Sequence, residues 1–292
     1  MRLLIAITLT LLSWTNLFGQ EAMKLKMIID MSGADTMLIQ RFDENQKLIF
    51  WKSFPQYGMS QILTYTYSNN LLMNYTWSHS KYGFIISEYS YDTLLHTRTT
   101  HSYESIKERA EIDNLMRFNN ESELKLSKQY QEVHQEKNRF LGAIVFYRDT
   151  FPIKEIAFES NGDTGDVTVY SYRDNLLEKK RVTYKNRHFN DLVYDYDKNG
   201  NEIQWKKIFD NSDTAYVFKK TYSNNNIIEE KEFDRNKLEA ITKYEYSDGL
   251  LKSEKDYDDS GKLKRQKQYY YNENKTLSKI VGYDRTSYYI YD

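Results

Sequence analysis

The chain has 292 residues, no cysteine, and a formal net charge of −1 from 41 basic and 42 acidic residues. This balance of charge gives no support for nucleic-acid binding, which depends on the neutralisation of phosphates. Without cysteine no disulfide can stabilise the fold, so sheet packing and the burial of aromatic rings must do so. The 27 tyrosines make those rings the main apolar resource.

The first residues have the layout of a secretory signal peptide. A basic start precedes an apolar stretch from Leu3 to Leu12, and Gly19 is a small residue suited to a cleavage site. The apolar stretch of about ten residues is too short for a helix that spans a bilayer. We therefore expect residues 1–19 to be removed. The mature chain is expected in the periplasm or outside the cell, without a transmembrane anchor.

A unit of one aromatic residue, a polar turn and one apolar residue returns about every twelve residues, which indicates a repeat architecture. In the second half of the chain its aromatic positions are Tyr172, Tyr184, Tyr196, Phe209, Tyr222, Phe233, Tyr246, Tyr257, Tyr271 and Tyr283. Between Leu238 and Tyr246 charged residues occupy most odd positions, as in a strand with one wet face. Asn199-Gly200 and Asp248-Gly249 are typical of tight hairpin turns. The pattern predicts a long antiparallel meander.

The same unit is present in the first half, for example at Tyr67, and predicts an N-terminal β-repeat block over 20–103. The rhythm stops in a charged insert over 104–140. There, helix-forming residues from Ser105 to Phe118 predict a helix. The rhythm resumes over 141–292, which predicts a C-terminal β-repeat block.

A meander of this length cannot remain an open, flat sheet. Roughly sixteen to eighteen strands exceed what an open twisted sheet sustains, and the tyrosine side would be a large apolar patch in water. The sheet must curl on itself, split, or be covered by the insert. We expect an all-β fold of two curled sheet blocks, with the insert packed on one of them. An outer-membrane barrel is disfavoured, since its outward face would be apolar, whereas Glu and Lys alternate here.

The units are similar to a known repeat. The Tyr-Asp-x-x-Gly-x-Leu/Ile pattern at Tyr196 and Tyr257, with looser copies at Phe42, Phe233 and Tyr246, resembles the YD repeats of RHS-type proteins. Those families build long β-meanders that coil into shells, some around toxins and others at cell surfaces. The resemblance implies a secreted β-repeat architecture of a short form without an effector domain, and function only by analogy.

No spacing typical of catalysis or of a metal site is present. Asp195 to Gly200 imitates the start of a calcium loop, but the twelfth position, which needs a bidentate carboxylate, is Lys206. The loop that starts at Asp256 fails in the same way at Lys267. The five histidines have no zinc spacing. We therefore expect no metal, no cofactor and no enzymatic activity.

One pattern is a candidate binding site. Lys207, Lys231 and Lys255 are 24 residues apart, each stands two residues before an aromatic residue, and Trp205 is predicted to share their face. Their stems could simply lie on aromatic rings at the rim of the sheet, with the ammonium groups in water. Alternatively, the four residues line a groove that binds an extended anionic or glycan ligand.

The sequence thus predicts a non-enzymatic scaffold or binding surface. The alternative is a carbohydrate- or cell-wall-binding module that uses the aromatic and lysine face. A hydrolase with a site in the 104–140 insert ranks third. The expected partners are a protein or a glycan of the cell envelope, and not nucleic acid.

Overall fold

The computed structural model of the chain describes residues 24–33, 35–54, 61–79, 83–105, 131, 133–135, 138–185, 187–209 and 214–291. Twenty β-strands follow one another within these ranges. In chain order they are β1 (Leu25–Ser32), β2 (Asp35–Phe42), β3 (Leu48–Ser53), β4 (Gln61–Ser68), β5 (Leu71–His79), β6 (Gly83–Asp92), β7 (Thr97–Ser105), β8 (Arg139–Arg148), β9 (Phe151–Phe158), β10 (Thr164–Arg173), β11 (Leu176–Tyr184), β12 (Arg187–Tyr196), β13 (Glu202–Phe209), β14 (Thr214–Ser223), β15 (Asn226–Asp234), β16 (Lys237–Ser247), β17 (Leu250–Asp258), β18 (Leu263–Tyr271), β19 (Leu277–Val281) and β20 (Thr286–Tyr291).

The strands form one closed barrel. Each strand pairs antiparallel with the next in sequence, from β1 with β2 through to β19 with β20. A further antiparallel pairing joins β20 to β1, where Ile28 lies opposite Tyr289 and Ile29 opposite Tyr288. None of the twenty described strands is therefore a free edge. The predicted all-β antiparallel meander is confirmed.

The predicted division into two sheet blocks is wrong. The last strand of the first block, β7, pairs directly with β8, so that Thr100 lies opposite Ala143 and Arg98 opposite Val145. Two separate curled blocks would each leave two edge strands with unpaired backbone groups. Closure into a single ring pairs all of these groups at once.

The connection between β7 and β8 covers 106–138, which is shorter at both ends than the insert predicted over 104–140. The predicted helix lies outside the described residues, except for Ser105 at the end of β7, and so does the predicted signal peptide. Val133, near the end of the connection, is buried. Its apolar cluster is completed by Phe50, Ile62, Ile86 and Tyr103. Within the described residues, no helix is long and apolar enough to cross a membrane.

The two ends of the barrel differ in the length of their connections. At one end, called here the tight-turn end, every connection has two to five residues. The chain enters and leaves the barrel at this end, since Leu25 lies opposite Tyr291 and donates its backbone N–H to Gln46 in the β2–β3 turn. The connections at the other end include 54–60 and 106–138.

The polar part of each repeat unit forms these turns. Five two-residue turns, 69–70, 174–175, 224–225, 235–236 and 248–249, place both residues at positive φ, which is the geometry of a hairpin turn that matches the strand twist. In the longer β12–β13 turn, the carboxylate of Asp197 accepts the backbone N–H groups of Asn199 and Asn201 at 2.8 and 2.9 Å. Gly200 in the same turn has a φ of 81°, which favours glycine.

Seven tyrosines of these units, all on even-numbered strands, join neighbouring hairpins and are called here the staple tyrosines. Tyr196 on β12 donates its hydroxyl to the carbonyl oxygen of Leu177 on β11 at 3.0 Å. The turn that connects β11 and β12 is at the opposite end of the barrel. At the tight-turn end, this hydrogen bond therefore joins two strands that no turn connects there. The same bond joins Tyr67 to Leu48, Tyr91 to Leu72, Tyr172 to Pro152, Tyr222 to Glu202, Tyr271 to Leu251 and Tyr291 to Leu277.

The strand register supports these staples. It shifts directly before several of the staple tyrosines, for example between Asp195 and Tyr196 and between Thr221 and Tyr222. Such a bulge bends the strand and re-aims a side chain. The rings are thereby turned toward the neighbouring strand.

Removal of one staple hydroxyl should lower stability. We expect Tyr196→Phe and Tyr222→Phe each to reduce the free energy of unfolding by about 0.5–1.5 kcal/mol, because each leaves a backbone carbonyl without its donor. Urea unfolding measures the loss. Tyr283→Phe is the matched control, since Tyr283 is 85% exposed. If the control loses as much as the staple variants, the hydroxyl bonds do not stabilise the barrel.

The Asp197 turn should respond to pH. The side chain of Asn201 and the backbone N–H groups of Asn201 and Asn199 donate to the Asp197 carboxylate and lower its pKa below the ordinary 3.8. A lowered folded pKa contributes stability above the unfolded value that disappears as the pH falls through the folded one. The stability difference between the parent and Asp197→Asn, measured by urea unfolding, should therefore be constant near neutral pH and change as the pH falls through 3.8. A difference that does not change with pH would refute this role of the carboxylate.

Candidate functional site

Each residue of the barrel wall points either into the lumen or away from it, and cross-strand partners share a face. Following the partners around the ring assigns the strand residues to two faces. The first, called the tyrosine face, is defined by one tyrosine on each of eight strands. These are Tyr65, Tyr75, Tyr89, Tyr170, Tyr194, Tyr244, Tyr269 and Tyr289. The opposite face is called the lysine face.

The tyrosine face is the concave one. Side chains converge inside a curved wall and diverge outside it, so interactions that skip a strand mark the inside. Tyr89 on β6 interacts electrostatically with Glu155 on β9, three strands away. Tyr244 on β16 and Tyr269 on β18 interact across the intervening strand.

The exposure of neighbouring residues agrees with this assignment. On β10, Thr168 is buried and Tyr170 is partly buried, and both belong to the tyrosine face. Val169 and Ser171, which point the other way on the same strand, are exposed. We therefore assign the tyrosine face to the lumen and the lysine face to the outside.

The lumen wall is polar despite its rings. The hydroxyl of Tyr170 donates to Glu155 at 3.0 Å, and that of Tyr269 donates to Glu254 at 2.8 Å. Lys267 also contacts Glu254, at 2.6 Å. Tyrosine hydroxyls that are paired with carboxylates in this way give the lumen a polar lining.

The lumen wall of β15 and β17 is acidic. Its inward carboxylates are Glu230, Glu232, Glu254 and Asp256. Inward cations lie on the flanking strands β14 and β18, such as Lys220, which contacts Glu202 of β13 at 2.6 Å. Acidic groups therefore concentrate on alternate strands of this sector.

The outside of the same sector carries one lysine on each of five consecutive strands, β13 to β17. These residues, called the lysine row, are Lys206, Lys219, Lys231, Lys243 and Lys255. Lys219 lies directly opposite Lys231, and Lys243 lies directly opposite Lys255. Between these pairs the neighbours are diagonal. The row is continuous across the sector.

The lysines of the row have two kinds of surroundings. Lys219 lies over the ring of Phe233, with its Nζ 5.3 Å from the ring centroid, and Lys243 lies over Tyr257 at 5.5 Å. The other kind is an ion pair. Lys231 contacts Glu229 at 2.6 Å, and Lys255 contacts Glu245 at 2.5 Å.

A second basic group lies on the lysine face beside the row. Asp191 on β12 is buried. Its carboxylate oxygens lie 2.7, 2.9 and 3.2 Å from side-chain nitrogens of Lys179, Arg181 and His188. One carboxylate thus holds two permanent cations and a histidine. The outward surface of β11 to β17 is basic as a result.

The structure divides the four predicted ligand-binding residues between the two faces. Lys231 and Lys255 lie together in the lysine row, as predicted. Trp205 and Lys207 point into the lumen, where Trp205 stacks on Phe218 at 4.4 Å and Lys207 lies over Phe209 at 5.1 Å. The binding role of these residues remains a prediction.

Strand register explains the division. The connection between β13 and β14 covers 210–213, whereas that between β15 and β16 covers only 235–236. A change of register by one residue moves a side chain to the opposite face. Lys231 and Lys255 therefore lie on the same face, whereas Lys207, at the same spacing of 24 residues from Lys231, lies on the opposite face. Lys219 and Lys243, which are also 24 residues apart, were missed, although this spacing was the available signal.

The comparisons with known proteins give no family. No family model matches the chain, and no curated protein matches it. Among solved structures, a porin-like protein from Bacteroides uniformis matches with a TM-score of 0.41 and 10% sequence identity, over 91% of this chain and 96% of that one. This likeness carries no argument, and the barrel rests on its own strand pairing.

The resemblance to the YD repeats of RHS-type proteins is wrong. No family model supports it, and the units close into one barrel through the pairing of β1 with β20. The local motif has a local cause: the tyrosine staples two hairpins and the aspartate holds a turn, as Tyr196 and Asp197 show.

The prediction that the protein has no transmembrane anchor is also wrong. That prediction took only a transmembrane helix as an anchor, and it assumed a sheet that does not close into a barrel. A closed barrel pairs its backbone groups within its own wall, which is the condition for crossing lipid. The expected export agrees with a closed antiparallel barrel of this size. That the protein is not an enzyme stays a prediction.

The assignment of the two faces can be tested by cysteine labelling, because the chain has no cysteine of its own. Thr242 points into the lumen and its neighbour Lys243 points outward. We expect Lys243→Cys to react with a bulky polyethylene-glycol maleimide and Thr242→Cys to react only with a small maleimide. A gel shift of the folded protein measures the reaction. The opposite order of reactivity would show that the lysine face lines the lumen and that the tyrosine face is outside.

Proposed function

We propose that the protein is an exported β-barrel of the outer membrane that surrounds a water-filled lumen for polar solutes. The observation that carries the proposal is the closed ring of twenty strands with a polar concave face. Barrels of roughly 16–18 strands already leave an aqueous channel. A lining of tyrosine hydroxyls and carboxylates is suited to water and polar solutes.

The arrangement of the ends supports this location. Outer-membrane barrels have an even number of antiparallel strands, short turns on one side and longer loops on the other. This chain has twenty strands, and both its first and its last strand meet the tight-turn end. The signal-like segment before the barrel supports export.

The outward face then divides into two arcs. The apolar arc lies on β20, β1, β2 and β8 to β10 and includes Ile290, Ile29, Ile39, Ile144, Ile156 and Val169. Ile62 and Ile86 point to the same side but are covered in the cluster with Val133. The other arc carries the lysine row at the middle of its strands. A lysine at the bilayer midplane costs about 2–4 kcal/mol. In this proposal acyl chains contact the apolar arc, and the lysine row stays in contact with water.

A scaffold or binding surface is the second candidate function. The lysine row favours it, because an exposed series of cations on a rigid wall attracts anionic partners. A binding role needs no channel, so the two candidates are separable by experiment.

Conductance tests the leading proposal. The full chain, reconstituted in planar bilayers, should give stable conductance with a preference for cations, because Glu230, Glu232, Glu254 and Asp256 line one sector of the lumen. The double variant Glu230→Gln/Glu232→Gln should lower the cation-to-anion permeability ratio several-fold, since lining charge concentrates counter-ions. Reversal potentials in a salt gradient measure the ratio.

The matched control removes two outward carboxylates. Glu229→Gln/Glu245→Gln makes the same change of charge on the lysine face and should leave the permeability ratio unchanged. The absence of conductance, together with release of the protein from membranes by alkaline washing, would refute the proposal. Equal effects of the two double variants would refute the role of the acidic wall of β15 and β17 in ion selectivity.

A further inference from the structure

We infer that the lysine row is a binding site for an acidic polysaccharide that lies across the strands on the outside of the barrel. The inference uses the face opposite to the lumen and requires the lysine row to be in contact with water, but it does not depend on the proposed channel. It rests on the charge of the row, on its accessibility and on its spacing.

The positive charge of the row lowers the stability of the fold. Like charges directly opposite one another in a sheet are destabilising, and the row has two such pairs, Lys219 with Lys231 and Lys243 with Lys255. Only Glu229 and Glu245 are paired with lysines of the row among the described residues. The five lysines therefore keep an excess of positive charge, which an anionic ligand would neutralise.

Two lysines of the row are accessible to an anionic ligand. Lys219 and Lys243 are exposed, and no carboxylate in the described part of the chain lies within 4.0 Å of either ammonium group. The rings of Phe233 and Tyr257 lie beneath them and support their stems. An ammonium group held over a ring in this way keeps its other side open to a ligand.

The spacing favours a regular polymer. The same set of residues returns every second strand: Lys219 and Lys243, Lys231 and Lys255, Phe233 and Tyr257. Two strands span about 9.5 Å, so equivalent cations repeat at that distance in a line. A linear polymer with regularly spaced carboxylates or sulfates matches this line along its length.

Other anionic partners fit the row less well. A folded protein binds through buried aromatic anchors, but the two rings of the row are already covered by lysines. A small anion would need a concave pocket with convergent donors, whereas these lysines stand side by side on a wall. The export that the N-terminal segment predicts places the row where polysaccharides occur.

The experiment uses the full chain with polygalacturonate as the acidic polysaccharide. Binding is measured by isothermal titration calorimetry at low salt, with dextran as the uncharged polymer and poly-glutamate as a polyanion without sugar. We expect binding to polygalacturonate that weakens with added salt, and weaker or absent binding to the other two polymers. Binding of poly-glutamate as tight as that of polygalacturonate would reject a polysaccharide as the partner.

Two double variants locate the site. Lys219→Gln/Lys243→Gln should weaken binding about tenfold, as expected for the loss of two exposed ion pairs. The matched control, Lys180→Gln/Lys220→Gln, removes two lysines that point into the lumen. It should leave the affinity unchanged.

The unfolding temperature separates binding from stability. It should not fall in Lys219→Gln/Lys243→Gln, because the variant also relieves two like-charge pairs. An equal loss of affinity in both double variants would overturn the inference, and so would the absence of any binding by the parent. Conductance is unaffected by these outcomes, so a failure here leaves the proposed lumen standing.

Discussion

The pairing of β1 with β20 is the constraint on which the rest of the structure depends. Ile28 opposite Tyr289 turns a ribbon of hairpins into a ring, and a ring has no edge strand that would pair with another chain. Closure also gives the wall an inside and an outside. The staple tyrosines also stabilise the ring. At the tight-turn end they join adjacent strands of neighbouring hairpins, which no turn connects there.

Alternation along single strands then produces two chemically different surfaces. On β15, Glu230 and Glu232 point inward and Lys231 between them points outward. On β17, Glu254 and Asp256 flank Lys255 in the same way. The acidic lumen wall of β15 and β17 and the lysine row on its outer side are thus built by the same short segments. A sequence of nearly zero net charge conceals this separation.

Local features could be predicted from the sequence, and long-range ones could not. The turn at Asp197 and the strand around Tyr244 follow from turn chemistry and from the period of two, and both are present. Closure depends on a contact between the two ends of the chain, for which Ile28 and Tyr289 carry no local signal. The resemblance to YD repeats had the same limit, because a turn and a tyrosine do not determine how hairpins assemble.

The candidate site shows where spacing alone fails. Lys231 and Lys255 share a face as predicted, because the turns between them are short and of equal length. Lys207 lies on the other face, because a longer connection changes the register once. Period and spacing therefore predict a face only as far as the connections are equal. Lys219 and Lys243 obey the same rule as Lys231 and Lys255.

A disulfide across the closing seam tests the barrel most directly. Ile29 and Tyr288 lie opposite each other on β1 and β20, at a separation suited to a disulfide in directly opposed strand pairs. In a chain without other cysteines, the double variant Ile29→Cys/Tyr288→Cys should oxidise within one molecule and migrate faster than its reduced form on a denaturing gel. Two free thiols, or disulfides only between molecules, would show that the first and last strands do not meet.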